Sequence, residues 1–262
     1  GGEQTVAFED EYTAKPGKLI IEKTFEGDLT DEEYRGGLKF EVVDEDGKEI
    51  GTYNIKEHFT KGTDGVYRKE IEVAPDKTYT VTETNYTVTG YTVKVYDITG
   101  TTETEITTDP SITSGKMEKD GEQKVAFKDD YKAVDGKIII EKTFSGDLTD
   151  EEYRGGLKFE VVDEDGKEIG TYNIKEHFTK GTDGVYRKEI EVAPDKKYTV
   201  TETNYTVEGY EVKVYDVTGE KTEITDGKIT SGTVAKGGEQ TVSFEDEYTA
   251  KPGKLIIEKT FE

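Results

Sequence analysis

The chain of 262 residues contains no cysteine and no tryptophan, and it has only one methionine and two histidines. Without cysteine it can form neither a disulfide nor a thiolate metal site, and two histidines are too few for a zinc site. We therefore expect no metal and no cofactor. The stability of the fold must come from other side chains.

Hydrophobic residues are also scarce, at 31% of the chain against 36% charged residues. This composition favours thin β-sandwiches over large enzyme folds, because little material is left for a thick core. The 17 tyrosines and the many threonines suit pleated strands better than packed helices. No signal peptide, sorting signal or membrane-spanning apolar run is present, so we expect a chain that is soluble as it stands or is part of a longer one.

The charge balance is strongly acidic, with a formal net charge of -24. Such a surface repels phosphate backbones and anionic lipids over long distances. The sequence therefore argues against nucleic acid and membrane partners. The acidic residues are scattered along predicted strands and turns, which is typical of a solvated surface.

The sequence repeats itself almost literally. Asp28 to Lys77 recurs letter for letter as Asp147 to Lys196, a shift of 119 residues. Residues 1–26 match residues 237–262 except that Ala7 is replaced by Ser243. We expect four segments from this pattern: 1–15 is the last strand of a preceding repeat, 16–133 is repeat 1, 134–250 is repeat 2, and 251–262 is the first strand of a following repeat.

Seven strands are predicted in the first repeat from alternating apolar residues and turn formers. They are Leu19 to Phe25, Leu38 to Val43, Glu49 to Ile55, Val66 to Val73, Tyr79 to Thr84, Tyr91 to Tyr96 and Lys124 to Tyr131. Seven strands in this length predict an all-β fold of tandem immunoglobulin-like β-sandwiches. A capping box at Thr30-Asp31-Glu32-Glu33 predicts one short helical turn between the first two strands. The loop from Gly100 to Gly115, two residues longer than its counterpart in repeat 2, is expected to be exposed.

Three ionisable residues per repeat fall on the apolar face of their strands, since alternate residues share a face. They are Lys23, Glu83 and Asp129 in repeat 1, and Lys142, Glu202 and Asp246 in repeat 2. Lysine and glutamate are 60 residues apart in both repeats. Burying one charge without a partner costs several kcal/mol, so each set should meet and neutralise itself. Parity alone also allows an ordinary buried ion pair with a protonated neighbour, or side chains that snorkel from strand ends.

The segments around these residues resemble the autocatalytic isopeptide domains of Gram-positive surface proteins, which include collagen-adhesin B-type repeats and streptococcal pilin-subunit domains. The similar segments are Gly-Lys-Ile-Ile-Ile-Glu-Lys at the start of a repeat, Tyr-Thr-Val-Thr-Glu in its later middle and Val-Ala-Phe-Lys-Asp-Asp-Tyr at its end. The resemblance covers essentially the whole chain. Many relatives have asparagine where Asp10, Asp129 and Asp246 stand here.

The resemblance implies a role for each residue of the set. Lys23 and Lys142 are the expected nucleophiles, Asp129 and Asp246 the acceptors, and Glu83 and Glu202 the catalytic acids. Asp10 and Lys259 are the equivalent acceptor and lysine near the two ends of the chain.

The chemistry can also be derived from burial, which favours the neutral forms of amines and carboxyl groups. A protonated Glu83 can polarise the Asp129 carbonyl for attack by the Lys23 nitrogen and relay protons to the departing hydroxyl. Water then leaves. Each repeat reacts only once, so this is self-crosslinking and not enzyme turnover.

Two functions follow as expectations. The first is a structural stalk or spacer of a bacterial surface adhesin or pilus-like protein, because near-identical tandem copies serve length. Its partners are neighbouring repeats, and it is extracellular and attached to the cell wall through other parts of the parent chain. The second is an adhesive module that binds a host protein or glycan through exposed tyrosines at Tyr86, Tyr91 and Tyr96.

Two further motifs are interpreted as structural and not as functional sites. Asp44-Glu45-Asp46-Gly47 resembles part of a calcium loop but lacks the remaining ligands, so it is predicted to be a hairpin turn. His58 and His177 have no paired Ser or Cys nucleophile, and we expect them at the surface or at strand ends.

Overall fold

The computed structural model describes residues 1–11, 13–29, 37–148 and 156–260. The chain divides into two compact units, Gly1–Ala133 and Val134–Glu262. Each unit contains one six-stranded and one four-stranded sheet. The predicted all-β class of tandem sandwiches is confirmed.

The first unit is built from strands and one short helix. In chain order they are β1 Gly17–Gly27, β2 Lys39–Asp44, β3 Glu49–Asn54, α1 Ile55–His58, β4 Thr60–Lys61, β5 Tyr67–Val73, β6 Tyr79–Thr84, β7 Tyr91–Asp97, β8 Thr104–Glu105, β9 Ser111–Thr113 and β10 Glu122–Ala133. The seven predicted strands are all present, with ends displaced by a few residues.

The two strands at the ends of the unit are neighbours in the middle of the larger sheet, whose order is β4-β5-β1-β10-β7-β8. β1 pairs with β10 in parallel and with β5 antiparallel. The smaller sheet has the order β3-β2-β6-β9 and is antiparallel throughout. The first and last strands therefore lie side by side, although almost the whole unit separates them in sequence.

Strict alternation of side chains fixes which face of each strand enters the core. In β1 the residues Leu19, Ile21 and Lys23 are fully buried, while the residues between them are only partly covered. The facing sheet contributes Phe40, whose ring lies 5.3 Å from that of Phe127 on β10. One core therefore fills the space between the two sheets of the unit.

The second unit repeats this arrangement. Its elements are β11 Gly136–Gly146, β12 Lys158–Asp163, β13 Glu168–Asn173, α2 Ile174–His177, β14 Thr179–Lys180, β15 Tyr186–Val192, β16 Tyr198–Thr203, β17 Tyr210–Asp216, β18 Thr222–Glu223, β19 Lys228–Thr230 and β20 Glu239–Ala250. The larger sheet has the order β14-β15-β11-β20-β17-β18, and the smaller has the order β13-β12-β16-β19. β11 and β20 form the parallel pair.

The loop from Gly100 to Gly115 is not a simple exposed loop, and this expectation was wrong in part. It contains β8 and β9, and Ile112 on β9 is buried in the core. The two-residue difference between the repeats falls outside these strands, one residue before β8 and one between β8 and β9. Deletion is tolerated there because the strand pairing of the smaller sheet is kept.

The predicted capping box at Thr30-Asp31-Glu32-Glu33 lies outside the described residues. The structure contains a helical turn at another place, α1, which the sequence analysis missed. Asn54 caps it, because the side-chain oxygen of Asn54 accepts a hydrogen bond from the backbone nitrogen of Lys56 at 2.9 Å.

Residues 1–11 and 251–260 form no strand and are exposed. They carry apolar side chains that stand in solvent, including Phe8, which is 89% exposed. Within the described ranges, no helix has the length and apolar character needed to cross a membrane.

Candidate functional site

The structure brings Lys23, Glu83 and Asp129 together between the two sheets of the first unit. Lys23 lies on β1 and Asp129 on β10, and the parallel register places Lys23 opposite Phe127, two residues before Asp129. Both side chains therefore point to the same face of the larger sheet. Glu83 lies on β6 of the facing sheet, paired with Phe40. None of the three side chains is exposed to solvent.

The lysine contacts both carboxyl groups. Its Nζ donates a hydrogen bond to Oε1 of Glu83 at 2.5 Å. The same nitrogen contacts Oδ1 of Asp129 as an ion pair. This second contact does not have the angles of a hydrogen bond, because Oδ1 of Asp129 has no hydrogen-bond partner among the described residues. The nitrogen is thus packed against the carboxyl group and is not aligned as an ordinary donor to it.

The second unit forms the same cluster. Nζ of Lys142 lies 2.7 Å from Oε1 of Glu202 and also contacts Oδ1 of Asp246. Neither contact has hydrogen-bond geometry, since Nζ of Lys142 has no hydrogen-bond partner among the residues described. The two clusters are independent copies of one arrangement.

Aromatic rings close the site to water. Nζ of Lys23 lies 5.3 Å from the ring centre of Phe25 and 6.0 Å from that of Phe40. In the second unit Nζ of Lys142 lies 5.2 Å from the ring centre of Phe144 and 6.0 Å from that of Phe244, which is the counterpart of Phe127. An apolar wall strengthens every electrostatic interaction inside it and penalises net charge.

Burial raises the pKa of the Glu83 carboxyl to about 8, with the negative charge of Asp129 adding to the shift and the positive charge of Lys23 opposing it. Glu202 has the same raised pKa of about 8 for the same reasons. Burial also raises the pKa of Asp246, although the charge of Lys142 opposes this. Near neutral pH the glutamate of each cluster is therefore mainly the protonated acid.

A proton on the glutamate would also give hydrogen-bond partners to two buried oxygen atoms that otherwise lack them. Oε2 of Glu83 and Oδ1 of Asp129 lack a hydrogen-bond partner within the described part of the chain. Both carboxyl groups contact the same atom, Nζ of Lys23. A protonated Glu83 can donate to Oδ1 of Asp129, so one hydrogen satisfies both atoms. This places an acid on the carboxyl group that the lysine contacts.

One further polar group lies at the site and was not predicted from the sequence. The hydroxyl of Tyr131 lies 3.1 Å from Oδ2 of Asp129, and that of Tyr248 lies 3.1 Å from Oδ2 of Asp246. Each tyrosine follows its aspartate by two residues and therefore shares its face of the strand. The alternation of residues along the strand already placed each tyrosine on the face of its aspartate. A tyrosine on an apolar face is, however, ordinarily expected to be a core residue.

Asp10 and Lys259 lie outside both clusters. They are on the exposed segments 1–11 and 251–260, which form no strand.

The aspartate turn is held internally. Oδ1 of Asp44 accepts hydrogen bonds from the backbone nitrogens of Asp46 and Lys48, and Oδ2 pairs with Lys77 at 2.7 Å. Among the described residues, no group of three or more His, Cys, Asp or Glu side chains is arranged to hold a metal ion. The carboxylate oxygens of Asp44 are thus used by the turn and by Lys77.

The tyrosines expected to be exposed are half-buried, so that expectation was wrong. The hydroxyl of Tyr86 donates to the backbone carbonyl of Thr107, and Nζ of Lys128 lies 4.9 Å from the ring centre of Tyr96. Tyr91 packs edge-on against Tyr131. These contacts are made with residues distant in sequence, so the alternation within one strand did not reveal them.

No protein-family model and no curated protein matches the chain. Solved structures similar to it include the TIE protein of Bacillus anthracis, at 18% identity and a TM-score of 0.35 over 89% of this chain and 34% of that one. The major pilin of Streptococcus pyogenes is 18% identical, with a TM-score of 0.30 over 88% of this chain and 98% of that chain. A single B repeat unit of the collagen-binding surface protein of Staphylococcus aureus is 17% identical, with a TM-score of 0.27 over 90% of this chain and 100% of that chain. The chain spans about a third of the TIE protein chain.

The raised glutamate pKa predicts a pH-dependent stability once the lysines are removed. In a Lys23→Met, Lys142→Met protein, each buried glutamate must stay protonated in the fold but ionises freely in the unfolded chain. Its stabilising contribution is complete below the unfolded pKa of about 4.5 and decreases as the pH rises above that value. In this variant the folded pKa of the glutamate lies above the value of about 8 found beside the lysine, because the positive charge that lowers it has been removed. Urea midpoints should therefore fall markedly between about pH 5 and about pH 8.

Adding Glu83→Gln and Glu202→Gln to the same protein is the matched control. Glutamine does not ionise, so most of the pH dependence should disappear while the general effect of the acidic surface remains. Equal pH slopes in the two proteins would show that the glutamates are not held protonated.

Proposed function

We propose that each unit joins its lysine to its aspartate by an intramolecular amide bond, Lys23 to Asp129 and Lys142 to Asp246. One observation carries this proposal: a fully buried amine contacts two fully buried carboxyl groups, and burial raises the pKa of one of them, Glu83, to about 8. A purely structural ion pair would need neither the protonated acid nor a nitrogen placed out of hydrogen-bond alignment with the aspartate.

The reaction begins from a cluster with no net charge, written as a neutral amine and two protonated carboxyl groups. Glu83 donates a hydrogen bond to Oδ1 of Asp129 and polarises the carbonyl, and Nζ of Lys23 attacks the carboxyl carbon. Nζ loses one proton, which Glu83 relays to the departing Oδ2 hydroxyl. The bond from carbon to Oδ2 breaks, the amide forms, and one water leaves. Glu83 ends in its starting state.

The fold supplies the driving conditions for this condensation. β1 and β10 hold the two reacting groups side by side, so the reaction is effectively unimolecular. The core excludes bulk water, which opposes hydrolysis of the product. The product also replaces three buried ionisable groups by a neutral amide and one carboxylic acid, and this removes the cost of desolvating an ion pair.

We further propose that the tandem units are covalently locked spacers in the stalk of an extracellular bacterial surface protein. The chain enters each unit at the start of the first strand and leaves at the end of the parallel last strand. A load applied to the ends of a unit therefore passes through the two strands that the amide joins. The residues between Lys23 and Asp129 lie outside this load path.

The lock also suits a chain without cysteine, since an amide is indifferent to thiol reductants. By analogy with a disulfide, closing a loop of about a hundred residues removes denatured-state entropy worth about 4 to 5 kcal/mol. The near-identity of residues 1–26 with 237–262 supports further repeats of the same kind on either side, with Asp10 and Lys259 contributing to their clusters.

Glu83→Ala and Glu83→Gln should leave the first unit folded but unlinked, because the glutamate assists the reaction and is absent from the product. The second unit, with Glu202 intact, is the internal control and should link normally. Peptide mapping by mass spectrometry distinguishes the two links. Recovery of a Lys23–Asp129 crosslink from either variant at the level of the wild type would disprove the role of Glu83.

Single-molecule pulling tests the spacer function. The linked chain should show no unfolding step that releases a whole unit, because the amide bypasses the strands between the linked residues. A Lys23→Met, Lys142→Met protein should show two steps, each about 370 Å longer than the linked unit allows, at roughly 3.5 Å per residue. Full-length steps in a chain shown by mass to be linked would contradict the mechanical role.

A further inference from the structure

In each unit the hydroxyl of one buried tyrosine lies between the acceptor aspartate and the backbone segment that follows the strand carrying the glutamate. In the second unit the Tyr248 hydroxyl lies 2.5 Å from the backbone carbonyl oxygen of Tyr205 and 3.1 Å from Oδ2 of Asp246. In the first unit the Tyr131 hydroxyl contacts the carbonyl of Tyr86 and lies 3.1 Å from Oδ2 of Asp129. Both tyrosines are buried.

Each tyrosine hydroxyl has donor geometry toward two oxygens, the backbone carbonyl and Oδ2 of the aspartate, but it has only one hydrogen to share between them. A tyrosine hydroxyl has one hydrogen, and a backbone carbonyl can only accept. At 2.5 Å the hydrogen must lie between Tyr248 and the Tyr205 carbonyl, since two unprotonated oxygens would repel each other at that distance. The tyrosine oxygen is then left as an acceptor toward Oδ2 of Asp246. That contact is favourable only when Oδ2 itself carries a hydrogen.

From this geometry we propose that Tyr131 and Tyr248 are positioning residues that hold the acceptor aspartate as the acid, with its hydrogen on Oδ2. The inference rests on the proposed amide bond. It makes Oδ2 the hydroxyl oxygen that departs, and Oδ1, which contacts the lysine, the carbonyl oxygen that stays.

The tyrosine is unchanged by the reaction. Nζ of the lysine bonds to the carboxyl carbon, the bond from carbon to Oδ2 breaks, and Oδ2 leaves as water with its own hydrogen and the proton relayed by the glutamate. The tyrosine hydroxyl keeps its hydrogen and continues to donate it to the backbone carbonyl throughout the reaction. Its effect is to choose which oxygen is the leaving group and to keep the carbonyl turned toward the acid.

A backbone turn positions the carbonyl group that accepts the hydrogen bond from the tyrosine hydroxyl. Asn85 has a φ of 58°, and Asn204 in the second unit has a φ of 61°, each immediately before the tyrosine whose carbonyl accepts the bond. Asparagine tolerates this left-handed conformation better than most residues. The turn comes directly after β6 and β16, so the strand that positions the glutamate also fixes the tyrosine hydroxyl.

A Tyr131→Phe chain tests the proposal, with the unaltered second unit as an internal clock. The chain is recovered unlinked in denaturant, folded by dilution, quenched at intervals and mapped for both links. We expect the Lys23–Asp129 link to form about 10- to 100-fold more slowly than the Lys142–Asp246 link, because the carboxyl is no longer oriented. Circular dichroism at the same times follows folding.

Tyr79→Phe is the matched control. The Tyr79 hydroxyl donates to the backbone carbonyl of Ala74 at 2.6 Å, so this variant loses the same kind of bond away from the cluster. We expect it to link at the wild-type rate. If both variants slowed linking equally, or if Tyr131→Phe slowed linking only as much as folding, the effect would be structural and the inference overturned.

Infrared spectroscopy measures the carbonyl stretching frequency of the aspartic acid, which does not depend on the stability of the fold. In the unlinked Lys23→Met, Lys142→Met protein with labelled aspartate, the acid carbonyl band of Asp129 and Asp246 should shift to higher wavenumber when Tyr131→Phe and Tyr248→Phe are added. The shift is expected because the Oδ2 hydroxyl no longer donates to tyrosine. An unchanged band would overturn the inference.

The two proposals fail in different ways. If the wild-type chain forms neither link, the proposed amide is disproved and the role of the tyrosines with it. If the wild type links and Tyr131→Phe links at the same rate, only the role of the tyrosines is disproved.

Discussion

The burial of one amine and two carboxyl groups between the sheets is the constraint on which each unit depends. Such a cluster is tolerable only when it carries no net charge, and this requires a proton on at least one of the carboxyl groups. The raised pKa of Glu83 and Glu202 expresses that requirement. In the proposed reaction, the same proton that makes burial possible also activates the acceptor. Stability of the unreacted fold and reactivity therefore have a common origin.

The topology places this cluster where it has a mechanical consequence. Because the first and last strands of each unit are parallel neighbours, the proposed side-chain bond would connect the strand by which the chain enters to the strand by which it leaves. The smaller sheet then supplies the acid from the opposite side, and the aromatic rings close the gap between the sheets. The repeat of the whole arrangement, with only loop residues changed in number, indicates that the cluster and the strand order are one functional unit.

Much of this could be predicted from the sequence, because strand geometry imposes a period of two. Parity alone placed Lys23, Glu83 and Asp129 on the core face, and the structure brings them together. Parity could not give the roles of Tyr131 and Tyr248, since a hydroxyl on a core tyrosine acquires meaning only when its partners are known. The two- and three-residue strands β4, β8 and β9 were also missed, because such short pairings are set by the neighbouring strands and leave no alternation in sequence. The half-burial of Tyr86, Tyr91 and Tyr96 depends on packing across the sheet, which a single strand does not record.

The mass of the intact, denatured chain tests the central claim most directly. The account predicts a mass two waters below that required by the sequence, one for each unit, and the full sequence mass for a Lys23→Met, Lys142→Met chain. A wild-type chain that folds as described and still has its full sequence mass would contradict the account.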